Sequence, residues 1–212
     1  MIYTDLAPVV FAAVLVVMIP GLLVSWAAGA RGWVLAGSAG PVSVSLISVT
    51  AILTGLTGLP WGSVAVLGVS IITAVLLFVA RHFVTAVMQK RPPSKGVTSQ
   101  GDGAERTAGR NSSSVLLGWI AVVAVFLVLF WRLGEIFGNA DNISQTFDNV
   151  FHLNAVRYIV ETGNASSLLI SGFTSSTGVG GFYPAAWHDV VSLTQQLTGT
   201  TVPAAVNATN VA

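Results

Sequence analysis

Hydrophobic residues occur along this chain in four long runs, and not in short alternating stretches. The runs cover Leu6 to Ala28, Val42 to Leu59, Ser63 to Ala80 and Val115 to Leu133. Each approaches the roughly 20 residues that an α-helix needs to cross about 30 Å of hydrocarbon. Because backbone amides in hydrocarbon must be satisfied within their own segment, the pattern predicts helices and not strands. We therefore expect an all-α, polytopic transmembrane protein with four spans and short interfacial helices.

A short uncharged break separates the second run from the third. It contains Pro60 and Gly62, which favour a turn, and Trp61, a residue typical of the membrane interface. One long broken helix is the alternative, but the two runs together far exceed one bilayer thickness. The break therefore predicts a tight helical hairpin. Small residues in its two arms, such as Gly55 and Gly68, are expected to allow close helix packing.

The stretch between the third and fourth runs, residues 81–114, has a different composition. It carries six Lys or Arg residues against two acidic ones, and it is rich in Gly, Ser and Pro from Pro92 onward. Such a composition cannot bury a core and predicts a flexible loop. The positive excess beside two spans predicts that this loop is cytoplasmic. Counting spans from the loop then puts the amino terminus and residues 134–202 outside the cytoplasm.

Composition narrows the class of protein. Hydrophobic residues make up 53% of the 212 residues and charged residues 8%, whereas soluble domains carry about 25% charged residues. The chain therefore cannot cover a water-facing surface, and we expect a multi-pass protein of the plasma membrane with membrane lipid around it. No nucleic-acid-binding face is evident. The absence of cysteine excludes disulfides, thiol catalysis and cysteine-ligated metal.

Two short amphipathic helices are predicted in the outer segment. The first covers Thr146 to Glu161, with Thr146 as its cap and Gly163 as its terminator. The second is expected to start near Pro184, because proline is favoured at the first helical position. After Pro203 another apolar stretch begins and stops short of bilayer length, so we expect an N-terminal fragment of a longer protein. The predicted layout is three spans in 1–80, the basic loop in 81–114, the fourth span in 115–133, the outer segment in 134–202 and a truncated apolar segment in 203–212.

Acid–base side chains in the outer segment form the candidate site. Asp148 and His152 are four residues apart and project from one helix face, while His188 and Asp189 belong to the second helix. A carboxylate there could take a proton from an acceptor hydroxyl, and imidazoles or a divalent cation could stabilise a departing phosphate. The alternative is structural: Asp148 pairs with His152, and His188 and Asp189 face water.

Other residues of the outer segment have simpler explanations. Arg157 and Glu161 have the i, i+4 spacing of a surface ion pair. Tyr183 and Trp187 are the amphipathic aromatic residues expected where a helix rests on the lipid interface. Two isolated histidines are a weak metal signal, so spacing leaves the metal unknown.

Two motifs carry a resemblance to known enzymes. They are FDNVFHLNAVRYIVETG, Phe147 to Gly163, and GFYPAAWHDVVSL, Gly181 to Leu193. Together they resemble the first outer loop of polytopic C-type (GT-C) glycosyltransferases, and more closely an uncharacterised actinobacterial multi-pass family related to them. The resemblance covers about a quarter of the chain. It implies transfer of a sugar from a polyprenyl-phosphate donor to a cell-envelope acceptor on the outer side of the membrane.

The resemblance also implies roles for individual residues. Asp148 matches the catalytic acidic residue, but Asn149 follows it where many of these enzymes have a second acid, so the need for a divalent cation stays open. The other expectation is a non-enzymatic membrane subunit or a transporter segment. Transporters place ionisable groups at mid-membrane depth, and the four runs have none away from their ends. The residues implied to act are Asp148, His152 and His188 in catalysis, and Arg157, Tyr183, Trp187 and Asp189 in substrate binding.

Overall fold

The computed structural model describes residues 2–89 and 112–212, which form seven α-helices, one 3-10 helix and no strand. Each of the four longest helices contains a stretch long and apolar enough to cross a membrane. The predicted all-α class with four candidate spans is therefore confirmed. The four long helices are α1 (Ile2–Ala28), α2 (Gly32–Thr57), α3 (Ser63–Gln89) and α4 (Ser112–Phe137).

Three shorter helices follow the fourth span. Gly163 ends the first of them in the left-handed conformation, with φ +66°, as predicted. The predicted cap at Thr146 is wrong, because Asp148 occupies that position. Pro184 precedes the second helix by two residues and so lies before its cap, Ala185. The short helices are α5 (Asn149–Thr162), α6 (Ala186–Thr198) and α7 (Val202–Val211), with the 3-10 helix Ile170–Thr174 between α5 and α6.

The long helices extend beyond the apolar runs that predicted them. Helix α2 begins at Gly32 and carries Pro41 inside it, well before the predicted start at Val42. Helix α3 continues to Gln89 and α4 starts at Ser112, so both ends of the predicted basic loop are helical; its central part, 90–111, lies outside the described residues. Hydropathy marks only the part of a helix that faces hydrocarbon, whereas the backbone hydrogen bonds continue past it.

Helices α1 and α2 pack most closely at a glycine. A Cβ added to Gly21 would collide with the carbonyl group of Ala39, so a larger residue does not fit there. The backbone N–H of Gly21 donates a hydrogen bond of 2.6 Å to the hydroxyl of Ser43 on α2. This contact sets the register of the two helices, and it places the start of α1 beside the end of α2.

The polar segment packs against the same end of the helix bundle. The indole Nε1 of Trp61, in the turn between α2 and α3, donates a buried hydrogen bond of 3.0 Å to Ser192 Oγ on α6. On α2, Gly55 leaves room for Ser166 of the loop after α5, so the close contact there is with a loop and not with a helix as predicted. Gly68 has open space beside it, so the prediction of close packing at Gly68 was wrong. The polar segment is therefore held on α1, α2 and the α2–α3 turn.

Helix α4 is different from the other spans. None of its most apolar stretch is buried against the described residues, whereas 39% of the corresponding stretch of α1 is. Its carboxyl end reaches α7 through Phe137 and Phe130, which pack on the cluster formed by Leu6, Ala204 and Ala208. The polar segment therefore starts at α4 but takes its support from α1 and α2.

Candidate functional site

Two histidines from different helices meet inside the polar segment. Nδ1 of His152 on α5 lies 2.9 Å from Nε2 of His188 on α6, so one ring donates a hydrogen bond to the other. His188 is 2% exposed and His152 is half-buried. The structure thus brings together two of the predicted site residues, which are separated by 36 positions in the sequence.

Aromatic rings surround the histidine pair. The ring centroid of Trp187 lies 5.7 Å from that of His152 and 5.1 Å from that of His188, in both cases edge to face. The ring of Tyr183 is 5.5 Å from His188, and Phe151 closes the other side at 6.1 Å. Tyr183 and Trp187 were predicted from the sequence as interfacial aromatics; in the folded chain both are half-buried walls of the histidine site.

Burial keeps His188 uncharged. Loss of hydration disfavours the imidazolium form, and the neighbouring His152 disfavours it further, so the pKa of His188 falls from 6.5 to about 4. The backbone of Ala185 opposes this lowering only in part. Nδ1 of His188 is buried without a hydrogen bond of normal geometry in the described part of the chain. His188 is therefore a neutral imidazole at pH 7.

The histidine pair opens onto a cavity of about 440 Å³. Trp187 and Tyr183 form part of its wall, and both histidines face it. Among the described residues that line this cavity there is no Lys, Arg, Asp or Glu, so its polarity comes from neutral groups. Those neutral groups belong to Asn142, Ser144, Thr146, Asn149, Asn207 and Asn210.

Asp148 lies one turn before His152 but does not join the histidine pair. It occupies the cap position of α5 with a helical backbone, φ −75° and ψ −15°, and its carboxylate caps no backbone N–H. The side chain is exposed, makes no hydrogen bond or ion pair with the described residues, and does not line the histidine cavity. The structural alternative, an Asp148–His152 pair, is therefore not formed.

Asp189 lies in the protein interior. It is 0% exposed, and neither carboxyl oxygen has a hydrogen-bond partner among the described residues. Burial raises the pKa of this carboxyl from 3.8 to about 8, so it is largely protonated at pH 7. Successive helical residues point about 100° apart, so His188 faces the cavity while Asp189 faces the core. The structure thus gives no access for substrate to Asp189, and the expectation that it faces water is wrong.

A larger open groove of about 840 Å³ adjoins the histidine cavity and shares Asn149 and Leu153 with it. Arg157 lines this groove and pairs with Glu161, its Nε lying 2.6 Å from Glu161 Oε1. The predicted surface ion pair is confirmed, with side chains 70% and 59% exposed. Phe147 also lines the groove and is 97% exposed. The groove therefore combines apolar surface with one cationic and one anionic side chain, Arg157 and Glu161, which are paired with each other.

The histidine pair does not offer a ready set of metal ligands. The described residues contain no group of three or more His, Cys, Asp or Glu side chains that could hold a metal ion. The facing nitrogens of His152 and His188 are hydrogen-bonded to each other, and no carboxylate from the described part of the chain lines their cavity. Their arrangement fits sharing of a proton better than joint coordination of a divalent cation.

Sequence reasoning missed the asparagines of the cavity. Asn142, Asn149 and Asn207 come from a loop, from α5 and from α7, so no spacing along the chain joins them. In the sequence, Asn149 stands out only as the residue after Asp148, where a second acidic residue was expected. Asn207 lies beyond the two motifs that carry the family resemblance.

The model of a family described as "family of unknown function (DUF6541)" matches residues 14–212, which include most of α1 and everything after it. The chain belongs to this family. No curated protein and no solved structure matches it. The matched residues include part of the first candidate span and all of the other three, together with the histidine pair and the asparagine-lined cavity.

Proposed function

We propose that this member of the family is an integral membrane glycosyltransferase that transfers a sugar from a polyprenyl-phosphate donor to a cell-envelope acceptor. The observation that carries the proposal is the His152–His188 pair, walled by aromatic rings and open to an uncharged polar cavity at the end of an apolar helix bundle. The two motifs that resemble C-type glycosyltransferases supply the reaction class. Each motif contributes one histidine to this pair.

His152 is the base in this proposal. The proposal uses the tautomer in which neutral His188 accepts the Nδ1–H of His152 at its own Nε2, which leaves the Nε2 lone pair of His152 free. That nitrogen takes the proton of the acceptor hydroxyl while the acceptor oxygen bonds to the anomeric carbon. The bond from that carbon to the donor phosphate breaks, and the phosphate leaves with the electron pair.

Asp148 remains a second candidate for the base, because the family resemblance assigns the catalytic acid to its position. Its carboxylate is exposed and unpaired among the described residues, so a substrate could reach it from the open side of α5. The geometry nevertheless favours His152, which already faces a cavity and has an orienting partner.

The adjoining groove is the proposed place for the lipid-phosphate part of the donor. Glu161 accepts only from Nε of Arg157, so the other N–H groups of the guanidinium supply cationic donors for phosphate. Phe147 and Val150 supply exposed apolar surface for isoprenoid units. Because the groove shares Asn149 and Leu153 with the histidine cavity, a donor lying in it would bring its sugar towards His152.

The site is proposed to lie on the outer face of the plasma membrane. The guanidinium of Arg81 lies beside Gly29, in the turn between α1 and α2 that also carries Arg31, and this turn is at the other end of α2 from Trp61. Basic residues favour the cytoplasmic side, which supports an outer position for the polar segment. A reporter active only outside the cytoplasm is expected to work when fused after Gly163 and to be silent after Gly101. The reverse pattern of reporter activity would show that the site lies on the cytoplasmic face.

The test of the reaction is sugar transfer in proteoliposomes, with polyprenyl-phosphate sugars as donors and turnover divided by the amount of inserted protein. His152→Gln is expected to lower turnover at least about 100-fold, the contribution typical of a general base. The matched control is His82→Gln, which changes the exposed histidine of α3 far from the cavity. Wild-type turnover in His152→Gln would show that His152 is not the base. No transfer by the wild-type protein would favour the non-enzymatic subunit or transporter segment.

A further inference from the structure

We infer that the histidine cavity binds an uncharged sugar unit through asparagine amide oxygens and rejects anionic sugars and free phosphate. The inference deepens the proposed function, since it names the class of sugar at that same site. It rests on the proposed function for the reaction, but binding can be measured without turnover.

The orientation of three asparagine amides in the cavity wall is set by backbone carbonyls. Nδ2 of Asn142 donates to Phe137 O at 2.7 Å, and Nδ2 of Asn149 donates to Ser144 O at 2.8 Å. Nδ2 of Asn207 donates to two carbonyls, Ala140 O at 2.8 Å and Asn142 O at 2.9 Å. A carbonyl oxygen can only accept, so each of these partners requires the NH₂ side of the amide and not its oxygen.

The amide oxygens of these asparagines remain available. Asn149 and Asn207 are only 9% and 4% exposed, yet their amide oxygens accept no hydrogen bond from the described residues and are not sealed from the cavity. The two amides are buried because their NH₂ groups hold the loop and α7 in place. Asn207 uses both of its amide hydrogens in these bonds, whereas Asn142 and Asn149 each use one of two, so these three amides offer more acceptors than donors.

A wall of neutral amides without a cation selects the charge of its ligand. Sugar hydroxyls can donate to the amide oxygens and accept from the remaining N–H groups, whereas a carboxylate or phosphate would lose hydration there without gaining a charged partner. The described lining contains no Lys or Arg to compensate an anion, and the nearest cationic side chain in either space, Arg157, lines the adjoining groove. His188 adds no charge, because it is neutral. A phosphate would thus be held in the groove and an uncharged sugar in the cavity.

Size and shape agree with this occupant. A volume of about 440 Å³ lies within the range of small-molecule sites, roughly 300 to 1,000 Å³. The rings of Trp187 and Tyr183 offer apolar faces beside the polar wall, and His152 lies next to Trp187. A sugar ring has the same combination of an apolar face and hydroxyl edges. Amide oxygens can also bind Ca²⁺, but no carboxylate among the described residues lines the cavity to neutralise it.

Ligand-observed saturation-transfer NMR on the full chain in lipid nanodiscs tests the inference. The probes are methyl glycosides of uncharged hexoses and pentoses, glucuronic acid, inorganic phosphate and calcium chloride as a competitor. We expect saturation transfer to at least one uncharged glycoside, none to glucuronic acid, and no displacement of the glycoside by phosphate or calcium. Binding of glucuronic acid at least as strong as that of the glycosides, displacement by calcium, or no glycoside binding would overturn the inference.

A matched pair of asparagine variants locates the binding. Asn210 lines the cavity, is exposed and makes no hydrogen bond to the described residues, so Asn210→Ala threatens the fold little. It is expected to weaken glycoside binding about fivefold, the effect of losing one hydrogen bond. Asn154→Ala is the control, because Asn154 is an exposed asparagine of α5 that lines only the groove. Equal effects of the two substitutions would contradict the assignment.

A charge substitution gives a second, independent readout. Asn210→Lys places a cation at the cavity wall and is expected to produce binding of glucuronic acid, whereas Asn154→Lys is not. Transfer from donors carrying a uronic acid by the wild-type protein would overturn the inference and leave the proposed function standing. Glycoside binding without any sugar transfer would support the binding inference and contradict the proposed function.

Discussion

Helix α5 carries one polar pair near its start and another near its end, and their surroundings are opposite. Arg157 pairs with Glu161 within the same helix, and both side chains are mostly in water. His152 pairs instead with His188 of α6, and that partner is sealed among aromatic rings. Water screens the first pair, so it contributes little. Enclosure keeps His188 neutral and fixes its contact with His152, and such an oriented pair is suited to proton transfer.

The strongest test of this contrast compares the enclosed base with the exposed carboxylate. His152→Gln is expected to lower sugar transfer at least about 100-fold, whereas Asp148→Asn is expected to lower it less than about tenfold, because Asp148 does not line the histidine cavity. Proteoliposome turnover per inserted protein measures both. If Asp148→Asn lowers turnover more than His152→Gln does, Asp148 is the base and the histidine pair has a structural role.

His188 is expected to act by positioning His152. His188→Ala removes the acceptor for the Nδ1–H of His152 and is expected to lower turnover about 10- to 100-fold, less than the loss of the base itself. His188→Gln retains an acceptor in the side chain and should recover part of that loss. Equal turnover in the two variants, with equal amounts of folded protein, would show that the hydrogen bond does not matter.

Asp189 should make the fold sensitive to alkaline pH. Its carboxyl keeps a proton up to a pKa of about 8 in the folded state but only to about 3.8 when unfolded, so its contribution to stability is lost as pH rises through 8. The lowered pKa of His188 acts in the opposite sense, but only between about 4 and 6.5. From pH 6.5 to 8 the free energy of unfolding should therefore fall by about 1 to 2 kcal/mol.

Asp189→Asn should remove this pH dependence, because the amide resembles the neutral acid in size. Thermal unfolding in detergent at pH 6.5 and pH 8 measures the effect, and Asp148→Asn is the control at an exposed carboxylate. An unchanged slope in Asp189→Asn would show that another group titrates in this range.

The smallest effect is expected at the exposed pair. Glu161→Gln removes the charge that faces Arg157 and should change the free energy of unfolding by about 0.5 kcal/mol or less, since both side chains are mostly in water. Thermal unfolding at low and high salt measures it. A change above about 1 kcal/mol would mean that the exposed pair is as important to the fold as the enclosed groups.

Local patterns in the sequence determined the features that depend on one helix at a time. Four apolar runs predicted four spans, because the cost of burying polar groups in hydrocarbon is large and acts on each run separately. Spacing within one turn predicted the Arg157–Glu161 pair, and Gly163 predicted the end of α5. Helix ends such as Gln89 were less well predicted, since hydrogen bonding continues beyond the apolar run.

Tertiary structure alone decided which polar groups meet. Asp148 and His152 share a face of α5, yet His152 bonds to a residue 36 positions away because α6 packs across α5. The same packing turns Asp189 into the core, although its neighbour His188 lines the cavity. Helical periodicity relates only residues within a turn or two, whereas these contacts depend on how a 3-10 helix and a glycine-containing loop bring α6 back onto α5.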